Sequence, residues 1–206
     1  MNSVPAHEAL ARLKEGNARF VSDDTTRSAA VNRYDRRRLV DGQEPFAIIL
    51  GCSDSRVPAE LVFDQGLGDL FVIRVAGNIV APSQVGSVEF AAERFGTRLV
   101  VVMGHSQCGA IMATIEELQR PTAMRSPNLR SIVNRIRPAV ESLMETDLVA
   151  RPDDLLNHAI RANVRASADH LRHGSRILER LAEENGLMIV GADYCLETGR
   201  VDFFEE

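Results

Sequence analysis

Phe46-Ala47-Ile48-Ile49-Leu50 and Leu99-Val100-Val101-Val102-Met103 are short, wholly apolar runs, and each is followed at once by residues that bind soft metals: Cys52 after the first, His105 and Cys108 after the second. Runs without polar alternation read as strands buried on both faces, the situation of a parallel sheet covered by helices. Chains leaving the carboxyl ends of parallel strands converge on a shared crevice, so the pattern aims two thiols and an imidazole at one point. This is a donor set that zinc favours, and three protein ligands leave a fourth position open, as in a catalytic rather than a structural site.

The remaining composition is ordinary for a globular chain: 206 residues, 45% hydrophobic and 26% charged, enough for one domain over residues 1–206 with a substantial core. A formal charge of -5 creates no global field toward nucleic acid or anionic lipid, so a small-molecule substrate is expected, with neither nucleic acid nor membrane as partner. The basic residues are almost all arginine, Lys14 being the single lysine, and no function attaches to that bias. Residues 1–6 lack a basic stretch leading into an apolar segment, and no apolar run reaches membrane-spanning length, which predicts a cytoplasmic protein. Three widely spaced cysteines fit a reducing compartment where thiols are free to take metal. The third, Cys195, closes the stretch 187–195 and reads as a small buried hydrophobe rather than a ligand.

Leu10, Leu13, Asn17, Phe20 and Val21 share one helical face, so an amphipathic helix opens an N-terminal arm of residues 1–41. The connector mixes Arg33, Arg36, Arg37 and Arg38 with Asp35 and Asp41, a solvated or subunit-contacting face rather than a nucleic-acid patch. Pro58 begins a short helix, and a strand covers 70–75. Ser83 caps a helix that turns Val85, Val88, Phe90, Ala91 and Phe95 to the core and stops at Gly96. A further helix starts at Gly109, Pro121 and Pro127 punctuate a loop, and two or three helices fill the chain to about Asn185. Strands 188–193 and 200–204, joined through Glu197-Thr198-Gly199, form a terminal hairpin. This alternation predicts an α/β fold: a mostly parallel central sheet flanked by helices, with an antiparallel C-terminal hairpin strand. His170 and His173, three apart on a helix, read as solvated and outside the site.

Two thiolates and a neutral imidazole cancel the formal charge of a zinc ion, and a water in the open position can then ionise near neutrality to a nucleophilic hydroxide. Thiolates donate charge, so this zinc is a weaker Lewis acid than a three-histidine centre and needs help from its neighbours. Asp54 and Arg56, two and four residues after Cys52, are the candidates. A carboxylate beside the metal can accept a proton from the bound oxygen and orient its lone pair, while the guanidinium keeps that carboxylate ionised. The same carboxylate can instead bind the metal and expel the water.

Gly51-Cys52-Ser53-Asp54-Ser55-Arg56-Val57-Pro58, Phe71-Val72-Ile73-Arg74-Val75-Ala76-Gly77-Asn78 and Gly104-His105-Ser106-Gln107-Cys108-Gly109-Ala110-Ile111 resemble, in order, signature segments of the β-class carbonic anhydrases. The likeness is strong from about Gly42 to Thr114 and weaker to the terminal hairpin. It implies a zinc-dependent lyase that hydrates carbon dioxide reversibly to bicarbonate and a proton by zinc-bound hydroxide. Cys52, His105 and Cys108 would hold one zinc per subunit, Asp54 and Arg56 would form the gating dyad, and Asp54 would be an alternative fourth ligand in a closed state. The resemblance also implies that the Gly109 N–H and the Gln43 side chain handle substrate oxygens, and that Phe71 lines an apolar carbon dioxide pocket. Phe90 stands where the plant-type branch often holds a tyrosine that contacts bicarbonate, and Val75 where asparagine is commoner. With Ile49 three residues before the first ligand and no tryptophan anywhere, the chain is similar to the branch without a non-catalytic bicarbonate site. A homodimer, or a homotetramer built as a dimer of dimers, is implied too. Its pocket would lie at the subunit boundary, Gln43 and Phe71 would reach the neighbour's zinc, and the N-terminal helix would extend onto the partner.

Other readings of the residues compete with this one. A thiol phosphatase needs an arginine six residues after its cysteine, whereas Arg56 follows Cys52 by four. A zinc-stabilised interaction domain needs a fourth strong ligand, and only Asp54 is near. Gln43 also fits an ordinary turn, and Phe71 and Phe90 ordinary packing. A hydrolase for carbon disulfide or carbonyl sulfide shares the fold and chemistry and differs in tunnel access.

Overall fold

In the computed structural model, which describes residues 4–24, 37, 39–121 and 126–204, both apolar runs are strands. Every residue of β1 (Ala47–Gly51) and of β3 (Leu99–His105) is buried. Alternate side chains feed two separate cores: Ile49 and Val101 enter one, Ile48, Leu50, Val100 and Val102 the other. Such strands are stable only with cover on both faces.

The sheet has the order β2-β1-β3-β4-β5. β2 (Leu70–Arg74) and β4 (Met188–Tyr194) run parallel to β1 and β3, and β5 (Val201–Phe204) returns antiparallel along β4. The α/β arrangement of the sequence analysis is thus the one found. One face is covered by α1 (Ala6–Val21), α2 (Ala59–Val62), α4 (Gly109–Gln119) and α5 (Pro127–Val140), the other by α3 (Pro82–Arg94) and α7 (Arg176–Asn185). The long helix α6 (Pro152–His173) feeds both cores, through Leu155, Ala159 and Ile160 and through Val164, Ala168 and Leu171. From β1 the chain passes to β2 on one side and returns to β3 on the other. The crevice beyond the carboxyl ends of β1 and β3 is therefore the switch point at which open α/β sheets place their ligands.

Several local expectations are corrected. β3 runs two residues past the expected 99–103, so His105 ends the strand itself. Ser83 is not a cap: Ala81 holds that position and Pro82 fills the first turn, where a missing N–H costs nothing, while Ser83 Oγ donates to Gln84 Oε1 at 3.0 Å. Phe90 does not enter the core but is 54% exposed, because its place on α3 faces away from Val88 and Ala91. Pro58 precedes α2 as its cap. Cys195 is half-buried, since β4 ends at Tyr194 and the thiol falls in the turn beyond. Arg33, Asp35, Arg36 and Arg38 lie outside the described residues, and Arg37 and Asp41 are exposed.

One polar residue on the apolar face of α1 ties the arm to the sheet. Asn17 is 6% exposed; its amide donates to the carbonyls of Val62 (3.1 Å) and Gly199 (2.8 Å), and its Oδ1 accepts from Val201 N (2.9 Å). Beside it, a Cβ on Gly16 would lie 1.8 Å from the Phe63 carbonyl oxygen, so only glycine allows this approach. Asn17→Ala leaves three backbone groups unpaired and is expected to cost about 3 kcal/mol, read as a lowered denaturant midpoint at constant m-value.

Candidate metal centre

The strand ends bring the three donors together. Cys52 follows β1 directly, His105 closes β3, and Cys108 caps the amino end of α4; their ligating atoms all lie within 4.8 Å of one another and all three residues are buried. The parallel pairing of Gly51 with Met103 fixes the two strand ends at the same level. His105 Nδ1 lies 2.9 Å from the Ser106 carbonyl oxygen, which assigns its proton to that nitrogen and leaves Nε2 with a lone pair. Nε2 is buried and has no hydrogen-bond partner. A buried acceptor facing two sulfurs without a donor is unfavourable unless a cation completes it, so the residues present fit a soft divalent metal.

The charges agree. The hydrogen bond from the neighbouring Cys108 thiol lowers the Cys52 pKa, helped against burial by His105 and the Gly77 and Asp54 amides, while the same pairing with Cys52, together with burial, raises that of Cys108. The two sulfurs thus support one negative charge between them, and a cation is what allows both to be thiolates. Burial opposes a charged His105, but the Cys52 sulfur, the Ser106 carbonyl and Asp54 outweigh it and the ring's pKa is raised. Cys108 Sγ also accepts from the amides of Ala110 and Ile111 at the start of α4, where helix amides favour negative charge.

Asp54 and Arg56 stand at the mouth. Arg56 grips the carboxylate with Nε on Oδ1 (2.9 Å), Nη2 on Oδ2 (2.7 Å) and its own amide on Oδ1 (3.0 Å). That side-chain hydrogen bonding holds the Asp54 carboxyl well below the usual carboxylate range. Asp54 Oδ2 lies 3.9 Å from His105 Nε2, so the carboxylate borders the cluster while held by Arg56.

The other expected site residues are spread more widely. Gly109 is the exposed first residue of α4, its N–H has no partner within the helix, and a Cβ there would meet nothing within 4 Å. Gln43 lies before β1, at the end opposite Cys52, and lines a surface hollow with Leu39, Leu67 and Phe95. Phe71 is the second residue of β2, its ring 6.2 Å from Phe90 and 6.0 Å from Phe95, and it packs on the core opposite the one that holds Cys52 and Cys108. Sequence reasoning missed Arg74, which donates from Nε to the Cys52 carbonyl (2.9 Å) and from Nη2 to the Asp54 carbonyl, and Ser106, whose Oγ accepts from Leu196 N (2.9 Å). Arg74 lies in the Phe71–Asn78 segment, but its target is backbone, which no spacing encodes. Ser106 is held by a turn some ninety residues away.

A family model described as Carbonic anhydrase matches residues 47–201. Carbonic anhydrase 2 of Mycobacterium tuberculosis is 40% identical over 200 residues, covering 97% of this chain and 91% of that protein. Carbonic anhydrase of Mycolicibacterium smegmatis is 38% identical over 202 residues, with coverages of 98% and 93%. Among solved structures, the β-carbonic anhydrase CcaA superposes with a TM-score of 0.77 at 25% identity over 95% of this chain and 87% of that one. A tetrameric β-carbonic anhydrase of Sordaria macrospora gives 0.73 at 23% identity, covering 97% and 96%.

A carboxylate whose pKa falls on folding adds stability above its unfolded value of about 3.9 and loses it as pH drops through the lower folded value. The pair is exposed on the arginine side, so its titration is a better readout than stability. Carbon-detected NMR is expected to show Asp54 ionised throughout pH 4–8 in the wild type, with a midpoint back in the ordinary carboxylate range in Arg56→Ala.

Proposed function

This chain belongs to the β-class carbonic anhydrases and hydrates carbon dioxide reversibly to bicarbonate; on that premise we propose which residues carry the reaction and what they hold. Cys52, His105 and Cys108 hold zinc, one ion per subunit. The observation carrying this is the buried, partnerless Nε2 of His105 beside two sulfurs, at the sheet's switch point. When bound there, the metal supplies Lewis acidity that lowers the pKa of a water in its open position.

The chain's own groups do the rest. Asp54, kept ionised by Arg56, accepts a hydrogen bond or proton from the attacking water at Oδ2 and so turns the oxygen lone pair toward the carbon. The free N–H of Gly109, with open space before it, donates to the substrate oxygen on which charge develops. The three-point grip of Arg56 favours this dyad over Asp54 as a fourth metal ligand. The same grip counts against a phosphatase reading, since the guanidinium is engaged by a carboxylate. Residues 1–206 are read as one catalytic domain.

Gln43 and Phe71 act on the neighbouring subunit's centre, with Phe90 extending the same apolar wall. Supporting this, Gln43 is separated from the metal cluster of its own chain by the length of β1, about 16 Å at some 3.3 Å per residue. β2 is an edge strand of the sheet, Phe90, Leu67 and Val40 are exposed, and the Sordaria macrospora relative is tetrameric. The functional unit is a homodimer or a dimer of dimers, in which the arm of residues 1–41 meets the partner by a face other than the one α1 buries on its own sheet. No described helix is long and apolar enough to cross a membrane. Three widely spaced cysteines suit a reducing compartment, and on that ground we place the protein in the cytoplasm.

Stopped-flow carbon dioxide hydration across pH, read beside zinc content, tests the assignment. Asp54→Asn is expected to keep its zinc and lose about a hundredfold or more in kcat; unchanged rates would make Asp54 a bystander. Zinc-loaded wild type inactive at every pH would remove the reading. Phe90→Glu is expected to shift the sedimentation coefficient toward the monomer, and an unshifted value would place the interface elsewhere.

A further inference from the structure

At Cys52 ends a chain of hydrogen bonds that the reaction as described does not use. The turn after β2, Ala76–Asn78, carries Gly77 with φ 68° and ψ 23°. In that conformation the Gly77 N–H points at Cys52 Sγ, 3.4 Å away. A Cβ on Gly77 would meet Ile136 Cδ1 at 2.8 Å and Ala110 Cβ at 3.0 Å, so the turn is wedged between α4 and α5 and only glycine fits it. What fixes its rotation comes from a third helix. Asn163 of α6, 2% exposed, donates from Nδ2 to the Gly77 carbonyl at 2.9 Å, and Ser167 Oγ, one turn on, donates to the Asn78 carbonyl at 3.1 Å.

We propose that Asn163 is a positioning residue for the metal centre: by holding the Gly77 carbonyl it aims the Gly77 N–H at the Cys52 sulfur and so limits the charge that this thiolate donates to the cation. The proposal rests on the reading that Cys52 is a metal ligand and deepens it. A two-thiolate centre is electron-rich, and an N–H directed at one sulfur withdraws part of that charge without adding a ligand. The donor must be fixed, because an N–H free to turn would satisfy itself elsewhere. Asn163 suits the task, since its amide nitrogen donates to a backbone carbonyl of the turn, while Ser167 on the same helix takes the next one. The Gly77 carbonyl belongs to the peptide that follows the donor N–H and shares the Gly77 Cα with it, so Asn163 fixes the ψ of Gly77, whereas Ser167 holds the peptide one further on. Asn163 touches neither metal nor substrate and acts only through Gly77.

Cobalt-substituted protein gives a readout that packing alone does not move. In Asn163→Ala, and in the similarly sized Asn163→Leu, whose side chain has no donor, the thiolate-to-cobalt charge-transfer band is expected at longer wavelength than in the wild type. Leu171→Ala, two turns along the same helix and fully buried, is expected to lower the melting temperature while leaving the band unchanged. In cadmium-113-substituted wild type, where folding is not in question, the Gly77 amide proton is expected to show scalar coupling to the metal through the sulfur. An Asn163 band at the wild-type position, a Leu171→Ala band shifted equally, or a Gly77 amide without coupling overturns the proposal while leaving the metal assignment intact. Wild type that takes up no cobalt overturns both.

Discussion

The fold depends on two strands that bury every side chain and end side by side. β1 and β3 contribute alternate residues to two cores, so a slip of one residue in their pairing would exchange the contents of both and is strongly opposed. With Gly51 held opposite Met103, Cys52 leaves the sheet beside the strand that ends in His105. The donor set is thus placed by hydrophobic register, and the cost of gathering three donors is met by the sheet before any ion arrives. Helix α4 then starts at Cys108, so the third donor needs only one turn of chain to come back to the first two.

Around this point the polar contacts are almost all from side chains to backbone. Arg74 braces the carbonyls of Cys52 and Asp54, Ser106 links the His105 loop to the β4–β5 turn, and Asn17 links that turn to α1. Ser106 N donates to the Tyr194 carbonyl while its own carbonyl takes the His105 Nδ1 proton, so the imidazole tautomer is fixed by a peptide that the terminal hairpin holds. The hairpin lies outside the metal-ligand segments, yet it sets the orientation of the ring. This is the kind of remote support that a site made from strand ends requires, because loops alone place side chains too loosely.

The parts of this arrangement legible in the sequence are those written in side-chain type and spacing. The apolar runs announced β1 and β3, and the Cys52, His105 and Cys108 pattern announced the cluster, since buried strands and soft ligands each have a distinctive composition. Asp54 and Arg56 were legible because a pair two residues apart in one loop meets locally. Ser83 was misjudged because proline at a first helical position competes with a capping serine and displaces the helix start. Phe90 was assigned to the core because an aromatic at helical spacing carries no mark of which neighbours cover it, and among the described residues it touches only Phe71 and Phe95 by ring contact. Asn163 gave no signal at all. Its function is a bond to a backbone carbonyl eighty-six residues earlier, and neither its own type nor its neighbours on α6 encode that partner.

Charge balance joins the two sides of the centre. Two thiolates already neutralise a divalent ion, so a carboxylate added to the metal would leave a net negative charge among buried residues, which is costly at low dielectric. Arg56 offers Asp54 the alternative of a neutral pair at the mouth, where water solvates what the protein does not. Any group that draws charge from the sulfurs makes the ion more attractive to a third anion as well as to water. With a divalent ion held by the three donors, the Gly77 N–H at Cys52 and the Arg56 guanidinium at Asp54 would act in the same direction, the first drawing charge from a sulfur and the second keeping a third anion away. The three donors through which Arg56 binds Asp54 would compete with such an ion for the carboxylate, and so favour a fourth position left to water.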